Sequence, residues 1–329
     1  MDHDGQLTFS DDPLLPRINE AYQLIEDGDF SEAAHIIDEL MNINPDYPGL
    51  TEGYRTAKFW NNRKEEIETY IKGKKKADYL MRQWSEFQRY AVEKHLSDSS
   101  AYRAAQKYVF YAASEHYKIA FQQQESTADN FDLLLNLGIC FLKIGEYGKA
   151  IETFEYARIS YKTSAKLLAL LGEAYFQHNE IPRSLLYFRE AFLLNPSEIE
   201  LDLLHSKPMN RLIEIVHERK MGCPDVREWI PIFGYLEDLF YVKRQLNSQQ
   251  VESIKREIYT MEKSYQTMSS EHRESTNIVP RLINKYLWML DYFEEQNYDF
   301  ESIAEIRNRL IKLDKNLFEG FFKQREKKK

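Results

Sequence analysis

The segment from Leu134 to Ala157 is matched by a second segment 34 residues later in the chain. Gly138 and Gly172 stand 34 positions apart, and the apolar residues around them repeat at the same spacing. The other pairs are Leu134 and Leu168, Leu137 and Leu171, Phe141 and Tyr175, Phe154 and Phe188, and Ala157 and Ala191. A fixed period of this length indicates stacked helix–turn–helix units, each of which covers the apolar face of its neighbour.

Two consecutive frames of this length, starting at Phe131 and Ala165, resemble the tetratricopeptide repeat (TPR) family. The first frame departs from the family pattern at Lys162, where proline is usual, and the second departs at Ile181 and Ser184. The matching positions hold Leu134, Leu137, Gly138, Phe141, Tyr147, Ala150, Phe154 and Ala157, then Leu168, Leu171, Gly172, Tyr175, Phe188, Ala191 and Pro196. The resemblance implies an array of helical hairpins.

Two more segments fit the same frame less completely. The segment from Leu14 has Ala21 where the other frames have glycine, and the segment from Asn284 ends in Asp314 and Lys315 in place of Asn-Pro. The positions that match are Phe30, Ala33, Leu40 and Pro45 in the first segment, and Leu287, Leu290, Phe300, Ile303 and Leu310 in the second. We predict a helical hairpin for each segment.

The fold class predicted for the 329 residues is all-α, a TPR-like α-solenoid with a right-handed superhelix and additional long helices. Only 12 glycines and 10 prolines occur, which disfavours an all-β fold with many tight turns. The predicted parts are a disordered lead-in (1–13), a TPR-like hairpin (14–48), aromatic-rich helices (49–130), two tandem repeats (131–198), non-repeat helices (199–280), a TPR-like hairpin (281–318) and a basic tail with a frayed end (319–329).

The glycines of the first strong repeat do not form a phosphate-binding loop. In Gly145-Glu-Tyr-Gly148-Lys149-Ala150 the spacing is shorter than in a Walker motif, and Ala150 has no hydroxyl for a magnesium ion. The residues before Gly145 have a helical pattern, whereas the motif follows a strand. We predict that Gly138 lies at a helix crossing, Gly145 ends a helix and Gly148 lies at the start of the next.

The sequence contains no motif for another chemical function. The two cysteines, Cys140 and Cys223, lack metal-ligand spacing, and we predict that Cys140 is a small core residue. The eight histidines are dispersed, and the net charge of −9 does not indicate a general nucleic-acid binder. The start of the chain lacks the pattern of a signal peptide, and no run of 18 apolar residues occurs. We predict a cytoplasmic non-enzyme with no cofactor and no metal site.

The resemblance implies that a partner binds to the concave surface formed by the first helix of each repeat. Carried over to this chain, that groove contains Asp132, Leu135, Asn136, Ile139, Leu142 and Lys143 from the first strong repeat, and Lys166, Ala169, Leu170, Glu173, Phe176 and Gln177 from the second. Some family members clamp a chaperone's terminal carboxylate there. Asn136 and Lys166 match that clamp, but Leu135, Ile139 and Leu170 replace its other polar residues, so we do not predict chaperone-tail binding.

Three functional hypotheses remain at this stage. The first is an adaptor or scaffold that binds a helical or extended peptide of another protein in the groove. The second is a structural subunit of a homo- or hetero-oligomer that assembles through the aromatic-rich helices at 54–121 and 225–265, with the groove filled by the protein's own flanking helices. The third is attachment to RNA or to an anionic membrane surface through Lys72–Lys76 and the terminal lysines.

Overall fold

A computed structural model describes residues 12–70, 72–123, 130–160, 164–219, 225–240, 246–296 and 300–328, without the side chains of 274, 324 and 326–328. Residues 1–11 of the predicted lead-in lie outside this set, as does Cys223. All regular elements of the described residues are helices, and no strand occurs among them. Consecutive helices pack against each other, as in a helical repeat array. The all-α fold class is therefore confirmed, whereas the handedness of the array stays a prediction.

The described residues form seventeen α-helices. In chain order they are α1 Leu15–Asp27, α2 Phe30–Ile43, α3 Leu50–Asn61, α4 Lys64–Thr69, α5 Lys74–Glu93, α6 Ser100–Gln122, α7 Asn130–Lys143, α8 Tyr147–Ser160, α9 Ala165–Gln177, α10 Ile181–Leu194, α11 Lys207–Glu218, α12 Val226–Leu236, α13 Ser248–Thr267, α14 Ser270–Glu274, α15 Ile278–Glu295, α16 Phe300–Leu313 and α17 Lys315–Lys328. Two short 3-10 turns, Pro196–Glu198 and Leu201–Leu203, lie between α10 and α11.

The chain divides into two compact units, Met1–Thr153 and Phe154–Lys329. The division falls inside α8, and thus inside the segment that we predicted to hold two tandem repeats. The predicted first-helix residues on α7 belong to the first unit, and those on α9 belong to the second. Each unit is described by itself below.

In the first unit, α6 is the central helix, because it packs against α1, α3, α5 and α7. The α1–α2 hairpin forms a small apolar core with the start of α3, where Ile18, Ile37 and Leu50 are buried. A second core is aromatic. Trp60 and Phe87 are buried in it and lie 5.4 Å apart between ring centroids, within the range at which aromatic pairs attract each other. Trp60 and Phe87 therefore fill the space between helices of this segment, whereas Tyr111 of α6 is 62% exposed.

In the second unit, α15 takes the central place, because it packs against α12, α13 and α16. The α9–α10 hairpin joins this core through α10, which packs against α12. A buried ion pair between Arg189 of α10 and Asp291 of α15 links the hairpin to the central helix. Asn284 of α15 adds a hydrogen bond from Nδ2 to the Phe192 carbonyl oxygen, at 3.1 Å.

The three hairpins of the repeat frame share one way of ending their first helix. Gly28, Gly145 and Asn179 have positive φ angles of 85°, 83° and 65°. The next amide donates to a carbonyl five residues earlier, as Glu146 does to Phe141 at 2.9 Å and Glu180 does to Tyr175 at 2.8 Å. This pattern is the Schellman cap, for which glycine is the preferred residue and asparagine is tolerated. The prediction that Gly145 ends a helix is confirmed.

The terminal residues differ from our expectation of a frayed basic tail at 319–329. Helix α17 continues to Lys328, because its apolar side chains are anchored in the second unit. Phe318 and Phe322 are buried. The Arg325 guanidinium contacts the Tyr235 hydroxyl at 2.7 Å and the Glu294 carboxylate at 3.1 Å. These contacts anchor the terminal segment in the second unit. We had predicted a frayed end from its lysines alone.

Candidate functional site

Most of the predicted groove residues on α7 are buried or half-buried. Leu135 and Ile139 are buried, at 7% and 6% exposure. Asn136 lies beside the hydroxyl of Tyr117 on α6, which donates a hydrogen bond to Asp78 at 2.7 Å. Of the remaining three predicted residues, Asp132 is exposed and Leu142 and Lys143 are half-buried. A partner peptide would therefore find few free side chains on this helix.

The predicted groove residues on α9 contact the segment that follows the second hairpin. The Lys166 ammonium lies 2.7 Å from the Glu200 carboxylate. Glu173 is 3% exposed, and its Oε2 accepts a hydrogen bond from the Ser206 amide at 3.1 Å, while its Oε1 accepts one from Gln177 at 2.8 Å. The other members of the set, Ala169 and Leu170, are buried, and Phe176 is half-buried.

The segment 196–206 is itself firmly held in the second unit. Ile199 and Leu204 are buried at 1% and 2% exposure. The Arg227 guanidinium donates to the Ser197 carbonyl oxygen at 2.6 Å. Because this segment pairs with Lys166 and Glu173 at the same time, it occupies part of the surface that we predicted for a partner.

A cluster of polar residues that the sequence did not indicate joins α8, α9 and α10 within the second unit. One carboxylate oxygen of Glu155 accepts hydrogen bonds from the hydroxyls of Tyr187 and Tyr175, at 2.5 and 3.2 Å. The other oxygen accepts from Arg158 at 2.8 Å. The two tyrosine rings stack with centroids 5.4 Å apart. Burial alone raises the pKa of Glu155, but these donors outweigh it, so that its pKa is lowered overall.

Replacing Glu155 by glutamine should make the stability of the protein less dependent on pH. A carboxyl whose pKa is lowered by folding stabilises the fold above its unfolded-state pKa, and that contribution is lost as pH falls through the folded-state pKa. Between about pH 5 and pH 3 the wild-type protein should therefore lose more free energy of unfolding than Glu155→Gln. Urea denaturation at stepped pH measures this, with Glu152→Gln, an exposed residue of the same helix, as control. An equal loss in wild type and Glu155→Gln would contradict the prediction.

The residues that sequence analysis considered for chemistry are explained by packing where they are described. Cys140 is fully buried, its Sγ lies 3.9 Å from the Met81 sulfur, and burial raises the pKa of its thiol, which makes it a poor nucleophile. Burial also lowers the pKa of His116, which favours its neutral form. Within the described ranges, no group of three or more His, Cys, Asp or Glu side chains could hold a metal ion.

The lysine cluster considered for RNA or membrane attachment lies at the beginning of a helix. Lys72 and Lys75 are exposed, and α5 begins at Lys74. Positive charge at a helix N-terminus is unfavourable for the helix dipole, so these lysines do not stabilise the helix. None of the described helices combines the length and the apolar character needed to span a bilayer.

The similarity of this chain to a known protein is confined to a segment. No protein-family model matches the chain. A stretch of 78 residues, 23% of this chain, is 38% identical to the RNA polymerase-associated protein CTR9 of Saccharomyces cerevisiae. The stretch covers only 7% of that protein. Membership of the TPR family stays a prediction on this evidence, and the chain is similar to a small part of a protein described as associated with RNA polymerase.

Proposed function

We propose that this chain is a non-enzymatic scaffold subunit of a protein complex. The observation that carries the proposal is the pairing of Lys166 and Glu173 with Glu200 and Ser206. In an adaptor with an open groove these two side chains would be available to a peptide. Here the chain uses them to hold its own segment, which supports the hypothesis of a structural subunit whose groove is filled internally.

The buried acidic residues of the second unit support a non-enzymatic role, because each is held by a donor of a neighbouring element. Glu173 accepts from the Ser206 amide, Glu228 accepts from Arg281 at 2.6 Å, and Asp291 pairs with Arg189. Buried carboxylates need such donors to be tolerated at all. Their contacts are thus accounted for by the stability of the fold.

The similarity to CTR9 suggests a first partner to test. That protein is described as associated with RNA polymerase, and we propose that the present chain associates with RNA polymerase or with a protein bound to it. The match of 78 residues is about the length of two repeat units, which is compatible with a shared pair of helical hairpins. The cytoplasm stays the predicted compartment. Fluorescence microscopy of the tagged chain would place it there or together with the polymerase.

Affinity purification of the tagged full chain from its native cells tests the scaffold proposal. We expect at least one protein to co-purify in stoichiometric amount, and mass spectrometry would show whether it is an RNA polymerase subunit. Capture should survive about 300 mM salt, whereas attachment through lysine clusters would be lost. Absence of any stoichiometric partner, together with a monomeric mass in light scattering, would overturn the proposal.

The variant Phe176→Glu separates an internally filled groove from an open one. Phe176 is a half-buried member of the predicted groove on α9. If partners bind elsewhere, the variant should capture the same proteins as wild type. Loss of capture by a variant that keeps its circular dichroism spectrum would favour the adaptor hypothesis, in which a peptide lies against α9.

A further inference from the structure

The second unit contains a cavity of about 590 Å³ that is separate from the predicted groove residues. Its walls are the end of α10, one face of α13 and the first half of α15. The volume lies in the range of sites that bind small molecules or peptide side chains. The α13 wall is formed by exposed residues such as Ser253 and Thr260, so the cavity is open to solvent on that side.

Asn284 presents a hydrogen-bond acceptor to this cavity. The residue lines the cavity and is 5% exposed. Its Nδ2 donates to the Phe192 carbonyl oxygen at 3.1 Å, which fixes the orientation of the amide, because a carbonyl oxygen can only accept. The Asn284 Oδ1 accepts no hydrogen bond from any residue that the structure describes. An acceptor in the wall of a cavity favours a ligand with an N–H group.

Two of the three cations in the cavity wall are neutralised. Arg281 donates to Glu228 at 2.6 Å, and that carboxylate also accepts from Ser197 at 3.0 Å. Lys285 lies 2.9 Å from Glu257 and donates to the Leu193 carbonyl oxygen at 3.2 Å. These contacts stabilise the wall and leave neither pair with a net charge.

Arg256 is the third cation, and no carboxylate of the described residues lies within ion-pair distance of its guanidinium. Its Nε donates to the Glu252 carbonyl oxygen at 3.3 Å, within its own helix. The two terminal nitrogens of the guanidinium contact no described acceptor. Because a guanidinium binds carboxylates through two parallel hydrogen bonds, Arg256 favours an acidic side chain at the edge of the cavity.

An apolar surface lies on the α10 side of the same cavity. Leu194 is 53% exposed there, although it is a large apolar side chain. Met261 of α13 also lines the cavity and is half-buried. Methionine adapts to ligands of different shape, and covering Leu194 would remove apolar area from water. The cavity thus offers an acceptor, a cation and an apolar wall.

We propose that this cavity binds a peptide segment of a partner protein in which an acidic side chain lies next to an apolar one. The acidic side chain pairs with Arg256, a peptide N–H donates to the Asn284 Oδ1, and the apolar side chain packs on Leu194 and Met261. The proposal rests on the proposed scaffold function and assigns it a binding surface. That surface differs from the concave TPR residues.

Selection from a random nonapeptide phage library on the immobilised full chain tests this site. We expect the enriched peptides to carry Asp or Glu beside Leu, Ile or Phe. Synthetic copies should bind Arg256→Glu at least about tenfold more weakly, because the two charge-assisted hydrogen bonds are lost and the new carboxylate repels the acidic side chain. Lys263→Glu makes the same kind of charge change on an exposed residue of α13 that does not line the cavity, and binding to it should stay within about twofold.

Three outcomes would contradict the proposed binding site. These are a selection without enrichment, equal weakening in Arg256→Glu and Lys263→Glu, and displacement of the peptide by single-stranded RNA. Arg256 is exposed and makes no ion pair with a described residue, so its variant should fold, and circular dichroism checks this. If peptides are selected but no protein co-purifies from cells, the proposed scaffold function is contradicted and the proposed binding site is supported. If a partner co-purifies equally with Arg256→Glu, the site fails and the scaffold function stands.

Discussion

Replacing Asp291 by alanine should lower the free energy of unfolding of the second unit by about 3–5 kcal/mol. Asp291 and Arg189 have only 7% and 6% of their side chains exposed. The Arg189 guanidinium also lies 4.4 Å from the centre of the Trp288 ring, so it cannot reach water without disturbing the core. Removing the carboxylate that balances a buried positive charge is strongly destabilising, because the charge remains in a medium that solvates it poorly.

A double replacement distinguishes charge from packing at this pair. Arg189→Met combined with Asp291→Leu removes both charges and keeps apolar volume, so it should cost much less than either single change. Urea denaturation followed by tryptophan fluorescence measures the three variants. Glu214→Ala breaks an exposed ion pair with Arg211 and serves as control, with little expected effect. A decrease of less than about 1 kcal/mol in the free energy of unfolding of Asp291→Ala would contradict this prediction.

The helical hairpins could be predicted from the sequence because their signals are local. The 34-residue frames from Phe131 and Ala165 correspond to α7 and α9, which begin at 130 and 165. The N-cap of α6 is equally local, since the Ser99 Oγ accepts a hydrogen bond from the Tyr102 amide at 3.1 Å. Periodicity and capping depend on residues within a few turns of each other, so a single sequence shows them.

Local sequence patterns do not predict which segment of the chain covers a helix face. The contacts of Lys166 and Glu173 involve Glu200 and Ser206, which lie outside the repeat frames and carry no motif. The repeat pattern identifies which side chains share a face of α9, but a non-repeating segment decides whether that face is free. The cavity beside Asn284 has the same origin, because α10, α13 and α15 meet only in the folded chain.

The terminal segment contains an apolar pattern that predicts a packed helix and that we had not used. Phe318, Phe321 and Phe322 stand at helical spacing and mark an apolar stripe. Because of the lysines that follow this stripe, we predicted a solvated end. In the structure Phe318 and Phe322 are buried, Phe321 is half-buried and Arg325 is paired, so the apolar pattern decides the conformation of the segment.

Changes at Gly172 and Phe188 should show that the repeat glycine lies at a helix crossing. A methyl group on Gly172 would come within 2.7 Å of the Phe188 ring, which is fully buried. A rigid ring in a closely packed core has little room to move, so Gly172→Ala should lower the free energy of unfolding by about 1–3 kcal/mol. Phe188→Ala should lower it by about 3–5 kcal/mol, because it leaves a cavity between α9 and α10.

The double variant is the decisive measurement for this crossing. Once the ring is truncated, the added methyl group has space, so the double variant should be more stable than the sum of the single effects by about 1 kcal/mol or more. Gly320→Ala is the matched control, because Gly320 lies within α17 and the added carbon meets no described atom within 4 Å apart from the neighbouring residues and backbone of its own helix. That change should raise stability by about 0.5–1 kcal/mol, as expected for an unhindered glycine in a helix. If Gly172→Ala also raised stability, the glycine would not be required by the approach of α10, and the shared position of Gly138 and Gly172 would need another explanation.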